Sequence, residues 1–272
     1  MQHAILYSPF CSAVRVPNLT MSTPEEAPAN SKNRKKRDPS DPAIINTSAA
    51  AAAATAANDT SSNSPRYRVL NPRDSLGPYI TNPEFFVPKT VIRHNPAFVY
   101  IRDLFPKSLV HTLLLPRDFA VMKMHPFDAF ENPVLLRVVK AEAEVLKGFV
   151  VADLKRQFGE QNGRDWKKDV KIGVHAKPSM NHLHVHVLSR DHYSDKLTTA
   201  KHYSSFNSPF FVGLDEFPLA PDDLRRTHPL AFTKGDLICW RCKKNFGNDY
   251  ATLRKHLVGE FNEWKKEGGG DY

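Results

Sequence analysis

The chain has 272 residues, a formal net charge of +9 at pH 7 and three cysteines. That length allows one substantial domain and an accessory piece. No apolar run is long enough to cross a bilayer, and the first 20 residues lack the basic start and continuous apolar segment of a secretory signal. Three cysteines cannot all pair, and the close pair Cys239 and Cys242 reads as metal chemistry rather than a disulfide framework, so a reducing intracellular compartment is expected.

Residues 1–65 are close to charge-neutral, which puts the basic excess in residues 66–272. A basic folded region suits either a polyanionic partner or a solubilising surface. Residues 1–65 are rich in Ser, Asn, Thr, Pro and Ala and hold few large apolar side chains, so a disordered tail is expected. Its basic run, Lys32 to Arg37, fits a nuclear address or a solvated charge run. Met21 opens a stretch that reads as an alternative N-terminus. Order is expected from near Pro65, with a larger domain over 66–220 and a smaller module over 221–272.

"DSLGPYITNPEFF" predicts a short helix and a turn. Ala97 to Asp103 and Leu109 to Pro116 are rich in β-branched and apolar residues and predict a hairpin-like pair across Pro106 and Lys107. Asn132 to Phe158 predicts a long helix, with Asn132 as N-cap and Pro133 in the first turn. Its apolar side is expected to carry Val134, Leu135, Val138, Val145, Leu146, Phe149 and Leu154. Val170 to His175 predicts another strand, leading through "AKPSM" into "NHLHVHVLSRDH". The expected architecture is α+β, an antiparallel sheet with one long packed helix.

In residues 181–192 the histidines His182, His184 and His186 alternate with Leu183, Val185 and Val187. On a strand that places the apolar residues in a core and the three imidazoles on the opposite face. Two chemistries fit, a metal site or nucleotidyl transfer by a histidine nucleophile. The preceding loop favours the second, because Ser179 and Met180 offer a hydroxyl and free backbone N–H groups to phosphate oxygens. His175 ends the neighbouring strand.

Near the C-terminus, Cys239 and Cys242 form a C-x2-C knuckle, with His256 and Glu260 four apart on one face of a final helix. Phe246 and Leu253 sit where a small ββα finger places its core. Thiolate, imidazole and carboxylate all suit zinc. From spacing alone the fourth ligand is Glu260, Glu263 or a water. Arg241, Lys243, Lys244, Arg254 and Lys255 surround the knuckle and suit a phosphate backbone.

"HLHVHVL" matches the histidine-triad motif, in which imidazoles alternate with apolar residues. The segments "IRDLFPKSLVHTLLLP" and "GVHAKPSMNHLHVHVLSRDHYSDKLTTAKHYSSFNSPFF" resemble the aprataxin family, the DNA-adenylate branch of the histidine-triad superfamily. The resemblance covers residues 70–265. It implies a histidine-triad fold with a Cys-Cys-His-Glu zinc finger, the ligands being Cys239, Cys242, His256 and Glu260, one structural zinc per chain. It implies that His184 attacks the α-phosphate and carries AMP covalently, that His182 and His186 orient and polarise, and that His175 contacts the phosphate or the leaving strand. Ser179 and Met180 then hold phosphate oxygens, Asp103 binds the ribose hydroxyls, Lys107 is the lysine of the Pro-Lys signature, and Lys201 stands near the DNA end. Arg117, Asp118, Phe119, Ala120, Val121, Tyr193 and Ser194 match family DNA contacts. Where the family often continues Pro-Lys with Ala-Arg, this chain has Ser108 and Leu109, so one basic contact is missing or supplied elsewhere.

The implied function is removal of 5′-AMP from abortive ligation intermediates by a nuclear enzyme that needs no metal for catalysis. Adenylated nicked or double-stranded DNA ends, RNA–DNA junctions and 3′-guanosine caps are the implied substrates, with AMP as product, no membrane partner and a monomeric state. Two rival functions are a hydrolase of small AMP conjugates with the finger as passenger, and a non-enzymatic zinc-finger DNA binder. The basic C-terminal region argues against the first and the intact triad against the second.

Overall fold

The computed structural model describes residues 71–160 and 163–267. The expected tail, its run Lys32 to Arg37 and Met21 lie outside the described residues. Six strands are described: β1 (Val91–His94), β2 (Phe98–Arg102), β3 (His111–Pro116), β4 (Val170–His175), β5 (Val185–Ser189) and β6 (Phe211–Gly213). They form one antiparallel sheet in the order β1-β2-β3-β5-β4-β6. The expected hairpin pair is β2 with β3. The edge strands β1 and β6 carry little alternation of their own and were not expected. The helices are α1 (Gly77–Thr81), α2 (Pro126–Ala129), α3 (Pro133–Phe158), α4 (Ala200–Asn207), α5 (Leu224–Thr227) and α6 (Tyr250–Trp264).

The cap of α3 forms as its residues dictate, with Asn132 Oδ1 accepting from the N–H groups of Val134 and Leu135 at 3.0 and 3.2 Å. Its buried face differs from expectation. Val134, Val138 and Val145 are 57, 41 and 44% exposed, while Leu136, Val139, Ala143, Leu146, Val150 and Leu154 are buried. A long helix with apolar residues on more than one side presents to the sheet whichever continuous stripe fits at spacings of three and four.

Alternation along the strands splits the sheet into two faces. Phe98, Tyr100, Leu114, Val185 and Val187 belong to the main core with α3. Val99, Ile101, Leu113 and Leu115 point the other way, into a smaller cluster with Leu76, Tyr79 and Ile80 around α1. A third cluster, Leu188, Phe206 and Phe211, lies at the β6 end of the sheet. The face opposite α3 is therefore covered at both ends. At Gly173 the close approach of β6 requires glycine, because a Cβ there would lie 2.4 Å from the Val212 carbonyl oxygen and 2.6 Å from the Phe211 ring.

The C-terminal module is not a full ββα finger. A single antiparallel bridge, Ile238 to Asn245, precedes α6. Leu237, Cys239, Trp240, Leu253, Leu257, Phe261 and Trp264 join the main core rather than forming one of their own. Polar contacts seal the junction. Tyr203 donates to the Ile238 carbonyl and accepts from the Trp240 N–H, both at 2.8 Å. Trp264 donates its indole N–H to Asp169 at 2.8 Å. The Arg164 guanidinium lies 3.7 Å from the Trp166 ring and 4.8 Å from that of Trp264.

Candidate active site and metal centre

β5 begins only at Val185, so His182 and His184 lie on the approach to the strand and His186 alone lies within it. The three imidazoles are buried rather than displayed on an open face, at 3, 5 and 5% exposure. His184 and His175 lie with ring centroids 4.9 and 4.5 Å from His186. Phe206 of α4 meets His175, His186 and His111 edge-on and forms one wall.

The hydrogen bonds assign the tautomers. The N–H of Lys107 donates to His111 Nδ1 at 3.0 Å, so a neutral His111 carries its proton on Nε2. His111 Nε2 lies 2.9 Å from His186 Nδ1, which must then accept. The His186 proton therefore sits on Nε2, a buried atom with no protein partner. A buried donor of this kind costs stability unless a ligand accepts from it. In His184, Nδ1 donates to the His182 carbonyl at 2.7 Å, leaving the Nε2 lone pair free to attack. One donor and one nucleophile thus lie on neighbouring rings, their centroids 4.9 Å apart.

Asp103, His111 and His186 bring donor atoms within 4.8 Å of one another. A cation at His111 Nε2 would need the Nδ1–H tautomer, which would set that hydrogen against the Lys107 N–H. These side chains do not fit a metal. His111 is the residue that the sequence reading missed. Its place follows from strand register: Leu113 pairs with His186 and His111 with Leu188, so His111 shares the triad face. Replacing His111 with Phe is expected to lower kcat by about 10- to 100-fold with little change in KM, because the relay orients His186 without gripping substrate in the ground state. Steady-state kinetics checks this, and an unchanged kcat refutes the relay.

Burial holds the pKa of His184 below the ordinary imidazole value, and His175 and His186 well below it. Burial takes His111 to about 4, against partial compensation from Asp103. All four are neutral at pH 7, as the tautomer relay requires. Burial also lowers the pKa of the Lys107 ammonium.

The other expected site residues divide. Asp103 uses Oδ1 to accept from the Phe105 N–H and places Oδ2 3.5 Å from His111 Nε2. The Lys107 ammonium donates to the Phe105 carbonyl. Ser179 is exposed, and its carbonyl accepts from Arg73 at 3.0 Å. Met180 packs on the α1 cluster. Asp74 accepts from Asn181 at 3.0 Å and lies 4.0 Å from His182 Nδ1, so the 72–74 turn clamps the triad loop, a contact no local pattern revealed. Arg73, Lys123, Met180, Asn181 and His182 line a cavity of about 170 Å³ at this end of the site. Lys201 is exposed on the first turn of α4, and no described contact ties it to the histidines.

Arg117 donates to the backbone carbonyls of Ile80 and Asn95 at 3.0 and 3.1 Å, so its guanidinium is committed to the fold. Asp118 accepts from the Ala120 N–H at 2.8 Å, beside Val121, and Phe119 projects at 79% exposure. Tyr193 stacks on Phe261 at 4.0 Å, and the Ser194 hydroxyl donates to the Pro106 carbonyl at 2.6 Å.

At the finger, Cys239, Cys242, His256 and Glu260 bring their donor atoms within 4.8 Å of one another. Cys242 Sγ lies 3.1 Å and Glu260 Oε1 2.8 Å from His256 Nε2. Two thiols, an imidazole and a carboxylate converging on one point suit tetrahedral zinc. Glu263 instead pairs with Lys266 at 3.2 Å, outside the cluster. Leu253 is fully buried and Phe246 packs on the His256 ring at 4.9 Å, but Leu253 belongs to the main core and Phe246 packs against it, so the two do not form a separate finger core. Lys243, Lys244, Arg254 and Lys255 are exposed, whereas Arg241 turns inward onto carboxylates.

Residues 80–202 match the family model described as scavenger mRNA decapping enzyme C-term binding, and residues 207–263 match that of the C2HE / C2H2 / C2HC zinc-binding finger. The chain is 36% identical over 202 residues to an aprataxin-like protein of Schizosaccharomyces pombe, covering 73% of this chain and 85% of that one. It is 34% identical over 208 residues to an aprataxin-like protein of Saccharomyces cerevisiae, covering 70 and 96%. A solved structure of the aprataxin ortholog Hnt3 in complex with DNA matches with a TM-score of 0.62 at 33% identity, over 71% of this chain and 96% of that one. Hnt3 in complex with DNA and guanosine matches with a TM-score of 0.63 at 34% identity, over the same shares.

Proposed function

The chain belongs to the aprataxin family, and from that premise we propose that it removes 5′-AMP from adenylated DNA ends left by abortive ligation. The observation that carries the reading is the pairing of a free His184 Nε2 lone pair with a His186 Nε2–H unpartnered among the described residues, on buried rings whose centroids lie 4.9 Å apart. His184 Nε2 attacks the α-phosphorus, a P–N bond forms, and the P–O bond to the DNA 5′-phosphate breaks. The leaving phosphate needs no proton. His186 donates to a phosphoryl oxygen as charge develops, with Lys107 and the Ser179–Met180 loop beside it. The proton on His184 Nδ1 remains bonded to the His182 carbonyl, which stabilises the cationic character of the adenylated ring. Water then attacks phosphorus, the P–N bond breaks, the proton lost by the water passes to solvent, AMP departs and His184 is left as a neutral imidazole. His175 orients the phosphate or the leaving strand, and Asp103 binds the ribose.

This chemistry runs without a catalytic metal. Zinc at Cys239, Cys242, His256 and Glu260 would supply folding energy to the finger. We assign RNA–DNA junctions and 3′-guanosine caps as further substrates, and a nuclear, monomeric enzyme as the setting. Hnt3 bound to DNA and guanosine supports the cap activity. No described helix is long and apolar enough to cross a membrane.

Adenylated nicked duplex and an AMP–lysine phosphoramidate separate this reading from a small-conjugate hydrolase. The expected kcat/KM is roughly 100-fold or more higher on the duplex, because duplex contacts contribute binding energy that the conjugate cannot. Equal values favour the small-molecule enzyme.

The neutral form of His184 is the nucleophile and burial lowers its pKa. The acid limb of kcat/KM is therefore expected below pH 6.5, with activity flat above it. The same sign governs stability. The unfolded chain binds protons on these histidines from about pH 6.5 downward while the folded one does not, so stability is full above that pH and falls as acid is added, by about 1.4 kcal/mol per histidine per pH unit within the window. Melting temperatures from pH 7.5 to 5 check this; a constant value contradicts it.

A further inference from the structure

Arg241 stands between the two cysteines of the knuckle, and its side chain, 23% exposed, turns onto carboxylates. Its Nη1 donates to Glu260 Oε2 at 2.5 Å. Its Nε donates to Glu267 at 2.8 Å, and its Nη2 reaches the same carboxylate oxygen. Glu267 is fixed in turn, since its carbonyl accepts from Arg164 at 3.0 Å. Glu260 is buried at 7% exposure, and its other oxygen, Oε1, points at His256 Nε2.

We infer that Arg241 is a positioning residue for the fourth metal ligand: by holding Glu260 Oε2 it presents Oε1 alone to the cation. The inference rests on zinc occupying the four-donor site. Two physical reasons support it. A glutamate side chain has three rotatable bonds and two equivalent oxygens, so on its own it wanders and can chelate through both, whereas a tetrahedral site takes one. A neutral imidazole offers one lone pair and cannot chelate an ion through both nitrogens. Charge supplies the second reason. Two thiolates and a carboxylate around a dication leave a net charge of −1 in a half-buried place, and the guanidinium offsets it. The planar fork suits this task because it spans Glu260 and Glu267 at once, which an ammonium cannot do from a single point charge. Arg241 is thereby withdrawn from the phosphate-binding rim to which its position in the sequence assigns it.

The test is zinc affinity, measured on the full chain by competition with a chromophoric chelator, for the wild type, Arg241→Gln, Arg241→Lys, Glu260→His and the double variant Glu260→His/Arg241→Gln. Arg241→Gln is expected to weaken zinc binding about 10- to 100-fold, the usual cost of losing a group that orients a ligand. Arg241→Lys should fall between it and the wild type. In the Glu260→His background the same Arg241→Gln change is expected to cost less than roughly threefold, since the outer nitrogen of a metal-bound imidazole is an N–H that seeks an acceptor, and a guanidinium, which only donates, cannot orient it. The cobalt-substituted protein adds a spectroscopic readout: the visible d–d bands should shift in Arg241→Gln and stay put between the two Glu260→His proteins. Equal loss in both backgrounds would make Arg241 a general packing residue, and unchanged affinity in Arg241→Gln would overturn the role outright. A wild type that holds no zinc overturns the four-donor site itself, and the role of Arg241 with it. Should Arg241→Gln fail to fold, a difference of less than threefold between Arg241→Lys and the wild type refutes the inference.

Discussion

His184→Ala is expected to lower AMP release by more than about 10⁴-fold, because it removes the atom that forms the P–N bond and no neighbour can replace it. His182 Nδ1 faces the Asp74 carboxylate at 4.0 Å, and His186 Nδ1 is occupied by His111. The ring is buried, so its loss also leaves a small cavity, and a drop of a few degrees in melting temperature is expected alongside an unchanged zinc content. The wild-type reaction, quenched at alkaline pH where a phosphoramidate survives, should carry AMP on His184 when mapped by mass spectrometry. An adduct on another residue, or turnover within tenfold of wild type in the variant, would remove His184 from the mechanism.

Deleting residues 237–272 is expected to abolish activity on both the adenylated duplex and small AMP conjugates. Were the finger a separable DNA clamp, the small conjugate would still be cleaved. The packing argues otherwise. Leu237, Trp240, Leu253, Leu257, Phe261 and Trp264 are buried in the same core as Val185, Val187 and α3. At about 1.5–3 kcal/mol for each buried side chain, their removal forfeits on the order of 10 kcal/mol, which is comparable to the whole stability of a domain. It also strips Trp166 and Tyr203 of their cover and breaks the Trp264–Asp169 and Tyr203–Trp240 hydrogen bonds. Cys239→Ser should act in the same direction, since Cys239 is at once a donor of the metal cluster and a fully buried core residue. Full activity on the small conjugate in the truncated protein would show that the two parts are independent.

Much of the molecule was legible along the chain because its signals are local. Short runs of β-branched and apolar residues mark β2, β3 and β4, the His–apolar alternation marks β5, the Asn-Pro start marks α3, and three imidazoles at two-residue spacing mark a prepared site. The four converging donors Cys239, Cys242, His256 and Glu260 are legible for the same reason, a two-residue knuckle and a one-turn His–Glu pair. The resemblance then supplied the family and its chemistry, with an antiparallel sheet, a long helix and a zinc-binding finger as found. What stayed hidden depends on contacts between distant residues. His111 and His186 are 75 positions apart, and only the register of β3 against β5 makes them partners. The buried stripe of α3 follows the surface of the sheet rather than the helix's own apolar tally. The clamp of Asp74 on Asn181 and the absorption of the finger into the main core are likewise decided by packing. Arg241 is the sharpest case: the sequence by itself determines that a cation sits between two cysteines, and only the tertiary structure, by setting Glu260 and Glu267 beside it, decides that the cation turns inward, because a half-buried anionic cluster is a deeper electrostatic well for a guanidinium than water is.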